Sequence, residues 1–293
     1  MNEIKEYLTK YATFPALGLI SIPILAAPPP PPTLGVFVPG GKLAGFIVLV
    51  VIFVFGYVFI SQAEKGTKFP IRTIAGFEAI KNAVGRSVEM GRPIHYTFGY
   101  GNLYTSMAPQ FTAGLGVLSY VAKLAGQYGA RVITTFGVPE AIPMAEETMR
   151  EGYRSGGKPD MYKLEDVRYL TTEQFAYASA VQAIINREKA AANIMIGPFY
   201  AESLIFAETG ANTGSVQIAG TARETQIPFF VLVCDYVLIG EEMFVASALA
   251  TGDAATAASL GAEDVGKIIA VALILLGTAL LQLGIRLAPL FLT

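Results

Sequence analysis

The chain is poor in the residues on which most catalytic and metal chemistry is built. Its 293 residues include one cysteine, Cys234, which excludes an internal disulfide and any multi-cysteine metal site. That thiol sits in the apolar run Phe229 to Ile239 and reads as buried and inert. A single histidine, His95, leaves little scope for a zinc centre or a Ser-His-Asp triad. It alternates with Ile94 and Tyr96 in a β-rich run, the setting of a packed, hydrogen-bonded strand residue. Charge is scarce as well. Only 15% of residues are Asp, Glu, Lys or Arg, and the mean hydropathy of +0.50 is too high for an ordinary soluble protein. Basic patches are missing: from Ser61 to Gly266, 16 Lys and Arg face 21 Asp and Glu, a net of −5. Nucleic acid is thereby excluded as a partner, and the composition implies no cofactor or metal.

Long apolar runs, by contrast, are present. Leu43 to Ile60 and Ile268 to Ile285 are each 18 residues without an Asp, Glu, Lys or Arg. As helices they reach about 27 Å, close to the ~30 Å hydrocarbon core of a bilayer. The expected organisation is an N-terminal apolar segment and polyproline linker (1–42), a transmembrane helix (43–61), a cytoplasmic α/β domain (62–266) and a C-terminal transmembrane helix (267–293). Lys65, Lys68, Arg72 and Lys81 follow the first span, whereas only Lys42 precedes it closely; Lys267 precedes the last span and Arg286 follows it. Both asymmetries put the central domain in the cytoplasm of a multi-pass protein of the cell (inner) membrane, with the bilayer as a partner. Tyr11 to Ala27 is apolar but contains Pro15 and Pro23 and lacks a small residue at −3 of a cleavage site before Pro28. A retained third membrane segment is favoured there over a cleaved signal, giving two or three transmembrane helices. Pro28 to Pro32 forms a stiff polyproline II spacer of about 15 Å.

Between the spans, short β-rich runs (Pro93–Phe98, Ala130–Phe136, Val167–Leu170, Asn193–Ile196, Val216–Ala219) alternate with helical stretches (Ala108–Tyr128, Pro139–Ser155, Thr172–Lys189, Tyr200–Glu208). That alternation predicts βαβ crossovers, hence an α/β domain of Rossmann-like or flavodoxin-like three-layer architecture with a mainly parallel sheet. Thr172 is the expected N-cap of its helix. Ala75–Met90 is amphipathic, with Phe77, Ile80, Val84 and Val88 on one face, and is expected to pack the domain against the membrane surface. Ile227–Ala250 approaches a span in length, but Asp235, Glu241 and Glu242 would be expensive in lipid. It reads as one helix buried by the core or by a subunit interface, for which Val237, Met243 and Val245 are the candidates. Asp235 and Glu242, two turns apart on such a helix, are read as capping or interhelix hydrogen-bonding groups in preference to metal ligands.

The strings AVGR…EMGRP, within Ile71–Gly99, and CDY…IGEE, within Ile227–Gly252, carry a resemblance. The chain resembles a family of uncharacterised prokaryotic membrane proteins with a cytoplasmic domain of unknown function between membrane segments, over most of Ile71–Leu280. The resemblance implies the topology and an α/β domain, and no activity.

Ligands of parallel sheets bind at the carboxyl ends of strands. The loop after the first strand, Gly99-Tyr100-Gly101-Asn102, is glycine-rich and leads into a helix, yet it has neither GxGxxG nor Walker spacing. A plain tight turn is favoured over a phosphate cradle. Thr135, Glu202, Thr221 and Arg223 lie at or beyond the ends of other strands and can line one cleft with Gly99, Gly101 and Asn102. Arg223 would clamp a small anion there, and Glu202 would serve as a base. The Glu208–Ser215 loop is read as a structural turn or interface loop in preference to an anion nest. Gly114 and Gly116, inside a helix, are read as close-packing positions. No nucleophile–base pair is apparent, so the reading leans away from an enzyme. The expectation is a membrane-anchored, self-associating scaffold (a homo-oligomer), with a membrane-tethered sensor of a nucleotide or other small anion as the alternative.

Overall fold

A computed structural model describes residues 43–65, 74–101 and 103–282. The N-terminal apolar segment, the proline run and the end of the second apolar run lie outside the described residues. Helix α1 (Leu43–Glu64) and helix α2 (Ala75–Met90) come first. Strands and helices then alternate: β1 (Ile94–Thr97), α3 (Ala108–Tyr128), β2 (Val132–Phe136), α4 (Ile142–Ser155), β3 (Val167–Tyr169), α5 (Gln174–Glu188), β4 (Ala192–Ile196), α6 (Glu202–Thr213), β5 (Val216–Thr221), α7 (Ile227–Val233), β6 (Tyr236–Ile239), α8 (Glu242–Thr251) and α9 (Ala254–Gln282). The chain divides into two compact units, Met1–Val51 with Val271–Thr293, and Ile52–Ala270. In the first, the described residues are the start of α1 and the end of α9, both apolar. Among the described residues one stretch is long and apolar enough to cross a membrane, Gly45–Ala63 in α1, with a mean hydropathy of 2.5.

In the second unit, six strands form one all-parallel sheet in the order β3-β2-β1-β4-β5-β6. The order reverses between β1 and β4, which is the doubly wound, Rossmann-like arrangement and not the flavodoxin-like one. Side chains alternate across the sheet as the pleat requires. Ile94, Tyr96, Val132, Phe136, Ile194 and Ile218 point to one face, where α2, α3, α4 and α8 complete the larger core. Met195 and Ala219 point to the other, where Tyr177 and Val181 of α5, Phe206 of α6 and Phe230 of α7 close a second core. Both faces are buried, which is why the central strands are apolar without clean alternation.

Gly114 sets how closely α3 lies on the sheet. A Cβ there would stand 2.4 Å from the Ile196 carbonyl oxygen and 2.9 Å from Phe98 Cβ, and Tyr96 donates to the Gly114 carbonyl at 2.5 Å. Gly116 meets α8 instead, with Ser247 Oγ 2.2 Å from its would-be Cβ. Since backbone cannot yield as a side-chain tip can, Gly114→Val is expected to cost about 3 kcal/mol by overpacking, read as a loss in thermal midpoint by circular dichroism.

Several expectations are corrected. Ile227–Ala250 is not one helix: α7 ends at Val233, Cys234 is extended, β6 pairs with β5, and Gly240 turns at φ +59° into α8. An apolar run of strand length is compatible with either state, and the open edge of β5 decides in favour of strand. Asp235 and Glu242 therefore share no helical face; Asp235 accepts from Gln217 N at 2.8 Å and Glu242 from Ile239 N at 3.2 Å. The cap of α5 is Glu173, not Thr172, and its carboxylate accepts from Phe175 N and Ala176 N. Glu208–Thr213 continues α6; Gly214, at φ +69°, ends the helix and Ser215 leads into β5. On α2 the buried face is Gly76, Ala79, Ile80, Ala83, Val84 and Ser87, while Val88 is exposed. Small residues win because the helix lies close on β6, with Leu238 Cδ2 2.9 Å from a Cβ at Gly76. That face is directed at the sheet.

Candidate functional site

The switch point between β1 and β4 is where a sheet of this order opens a crevice. Here the two loops beyond those strands pack directly on each other. Gly99 takes φ +76° and a Cβ there would lie 2.2 Å from the Pro198 carbonyl oxygen; at Gly101 it would lie 2.0 Å from Pro198 Cγ. Tyr100 N donates to that same Pro198 carbonyl at 3.2 Å, and Gly197, at φ +154°, backs onto the Phe98 carbonyl. The glycines are thus explained by backbone approach between two loops, the role of a tight turn. Tyr100 lies over Gly137 after β2, with its ring 6.2 Å from Tyr177 and 6.5 Å from Tyr200. Burial, then the carboxylates of Glu173 and Glu202, raise the Tyr100 phenol above its ordinary value, so it is protonated at neutral pH.

The remaining candidates separate into three groups. Thr135 is buried within the sheet, where its hydroxyl meets His95 Nε2 at 2.8 Å. Glu202 is buried with both oxygens engaged, Oε2 by Gln174 Nε2 at 2.6 Å and Oε1 by Tyr200 N at 3.0 Å. A carboxylate held in this way organises the β4–α6 loop and is poorly placed to accept a substrate proton. Thr221 is buried and its hydroxyl accepts from Arg223 N at 3.3 Å, while the Arg223 guanidinium carbon stacks 3.9 Å above the Tyr200 ring. Arg223 is the cation that this rim offers to solvent, oriented by a cation–π contact. Gly99, Gly101, Glu202 and Arg223 therefore do converge around the Pro198–Tyr200 loop, and Thr135 does not join them. Asn102 lies outside the described residues.

Sequence reasoning missed a polar ladder beneath this rim. His95, Asn193 and Gln217 are register partners across β1, β4 and β5. His95 Nδ1 meets Asn193 Oδ1 at 2.7 Å, and Asn193 Nδ2 donates to the Phe206 carbonyl and to Gln217 Oε1. Polar residues among the first three positions of three mostly apolar predicted strands were the available signal. Cys234 is half-buried, and burial followed by Asp235 pushes its thiol up to about 12, so it is not a thiolate nucleophile. Among the described residues no three His, Cys, Asp or Glu gather as a metal-ligand set.

A second surface is defined by the free edge of the sheet. Among the described residues β6 pairs only with β5. Beside it, Val231 is 55% and Leu232 is 79% exposed on α7, and Phe229 and Ile239 are also exposed. Of the three interface candidates, Val237 lies half-buried on β6 and Val245 half-buried on α8, but Met243 is 0% exposed inside the larger core and touches no solvent.

No match to the chain is found among curated proteins or among solved structures. A family model described as a domain of unknown function (DUF6754) matches residues 35–289, so the matched region starts after the proline run and includes both apolar runs; the chain belongs to that family.

Proposed function

We propose that the protein is a membrane-anchored scaffold of the prokaryotic inner membrane that self-associates through its cytoplasmic α/β domain. The observation that carries this reading is the uncovered β6 edge with its apolar neighbour α7. Gly240 N bonds the Thr221 carbonyl of β5, so by the alternation of a parallel ladder the N–H groups of Val237 and Ile239 face away from the sheet. Ile239 N–H is taken by Glu242, and among the described residues the outward Val237 backbone is left to an incoming strand. The occupant is a second copy, because a twofold axis sets one β6 antiparallel to the other and each edge supplies what its partner needs. The same axis brings Val231 and Leu232 of the two copies together. An uncovered apolar patch on an edge strand is otherwise a liability that proteins blunt with charge, and in the segment Phe229–Ile239 the sole charge is Asp235.

Anchorage supports the reading. The exposed apolar stretch of α9 from Ile268 onward matches α1 in character and is read as a second span, with the positive-charge asymmetry placing the domain inside. Confinement to a bilayer raises the effective concentration of one copy for another, so a modest edge contact suffices. The sensor reading is secondary: with the glycine loop packed on Pro198, it rests on Arg223 alone.

Light scattering of the full chain in mild detergent, corrected for detergent mass, tests the scaffold. A discrete oligomer is expected, and Leu232→Asp should weaken it about tenfold or more by placing a charge in the apolar contact. A monomeric wild type at all concentrations would sink the proposal.

A further inference from the structure

A groove of about 790 Å³ opens at the other end of the sheet, where β5 and β6 begin. That volume is in the range of small-molecule sites. One wall is α2, which presents Asn82 and Arg86 one turn apart on the same face. The opposite wall is the α6–β5 junction, with Ser215 and Gln217, and the start of β6, with Asp235. Ala79, Ala83, Ala211, Val216 and Val233 supply a floor of small apolar groups.

The polar groups of the groove are unequally committed. Ser215 Oγ already donates to the Ala190 carbonyl, and the Gln217 amide is held by Val233 and Asn193. Asp235 uses Oδ2 to accept from Gln217 N at 2.8 Å. Arg86 makes no ion pair with any described residue, and Arg86 and Asp235 stand more than 4.0 Å apart although they line one groove. Two opposite charges thus face a shared space without neutralising each other. A simple anion drawn to Arg86 meets the Asp235 carboxylate, and a simple cation drawn to Asp235 meets the guanidinium. A neutral ligand gains from neither charge, since Arg86 and Asp235 are both exposed and stay solvated beside it.

We propose that this groove binds a small zwitterion, with its oxyanion (carboxylate or phosphate) on Arg86 and Asn82, and its ammonium on Asp235. A guanidinium fork suits either oxyanion, and an aliphatic body fits the alanine and valine floor. The same chemistry occurs in free α-amino acids and in the ethanolamine-phosphate headgroup of a lipid. The proposal does not rest on self-association through β6, although Val233 and Asp235 belong to the segment proposed to meet a second copy, so the oligomeric state of Asp235→Asn is read beside its binding.

Thermal-shift titration of the full chain in detergent decides it, with a panel of the twenty L-amino acids and O-phosphoethanolamine as probes, and acetate, inorganic phosphate and ethylamine as single-charge controls. At least one zwitterion should raise the midpoint saturably, and the controls should bind about tenfold or more weaker. Arg86→Gln and Asp235→Asn should each weaken binding by a similar factor, and Asp235→Asn keeps the acceptor for Gln217 N. Asn82→Asp, on an exposed helix face, should also weaken it by occupying Arg86. Response to O-phosphoethanolamine but to no amino acid assigns the site to a lipid headgroup, and the reverse assigns it to a free amino acid. The proposal fails if no zwitterion binds, if acetate or phosphate alone binds as well, or if all three variants bind like wild type.

Discussion

Acidification from pH 7 to pH 4 is expected to remove about 3 kcal/mol of stability through His95 alone. The imidazole is buried between β2 and β4. Asn193 is oriented by its donor bonds to Phe206 and Gln217, so its Oδ1 faces His95 as an acceptor; Nδ1 then carries the proton and Nε2 accepts from the Thr135 hydroxyl. Neutral imidazole is satisfied on both sides, and a second proton would remove the acceptor that Thr135 uses. Burial is the main force lowering His95 from 6.5 to about 4, with the Asn193 hydrogen bond opposing and Arg168 adding a smaller push. The sign follows from proton binding. Between those two values the unfolded chain takes up a proton that the folded chain refuses, so stability is complete above about 6.5 and is lost as pH falls towards about 4. Carboxylates titrate in the lower part of that window in every variant. The test is therefore the difference between wild type and His95→Gln, followed by circular dichroism melts from pH 7 to pH 4. The variant should show the shallower decline; parallel curves would mean that the folded imidazole takes up its proton as readily as the unfolded one.

Removal of the Arg131 side chain should cost about as much at constant pH. Arg131 stands just before β2 and grips Asp166, just before β3, with Nη2 at 2.6 Å from Oδ1 and Nε at 2.9 Å from Oδ2. The Asp166 side chain is 3% exposed, and after the loss of Arg131 its nearest cation is Arg168 at 3.5 Å. A buried carboxylate deprived of a two-pronged partner is penalised far more than the pair was worth, so Arg131→Ala is expected to lower stability by about 3 kcal/mol in urea denaturation at pH 7. Arg131→Leu combined with Asp166→Leu should recover most of that loss, because nothing charged is then stranded. Equal destabilisation in the single and double variants would assign the effect to packing of the arginine stem.

Legibility of the sequence varied with the reach of the contacts involved. Strands β1, β2, β4 and β5 and helices α2 to α5 declared themselves through local pattern, because each carries its own apolar period and punctuation, such as the Gly129 and Gly91 stops. β6 did not, since Phe229–Ile239 is apolar but for Asp235 and only the vacant edge of β5 makes part of it a strand. The glycines at 99 and 101 announced a special backbone, but whether that backbone faces a phosphate or Pro198 depends on a loop about a hundred residues away. Arg86 and Asp235 lay inside the two strings that carried the family resemblance, and their meeting in one groove required α2 to fold over the start of β6. Met243 shows the opposite failure: assigned to an outer face of a long helix, it belongs to the interior once that helix is broken.

The central position of β1 has a consequence for the nascent chain. His95 finds Thr135 after 40 residues of chain but must wait 98 residues for Asn193. At ordinary synthesis rates of about 5–20 residues per second, that wait lasts roughly 5–20 s. In its last part, after β3 ends at Tyr169, the half-sheet β3-β2-β1 has a raw flank where β4 will dock, carrying a histidine with half its partners. The ribosome therefore presents an incomplete sheet for seconds before β4 seals it. This interval, more than the finished fold, is where a chaperone or a neighbouring copy would find something to hold.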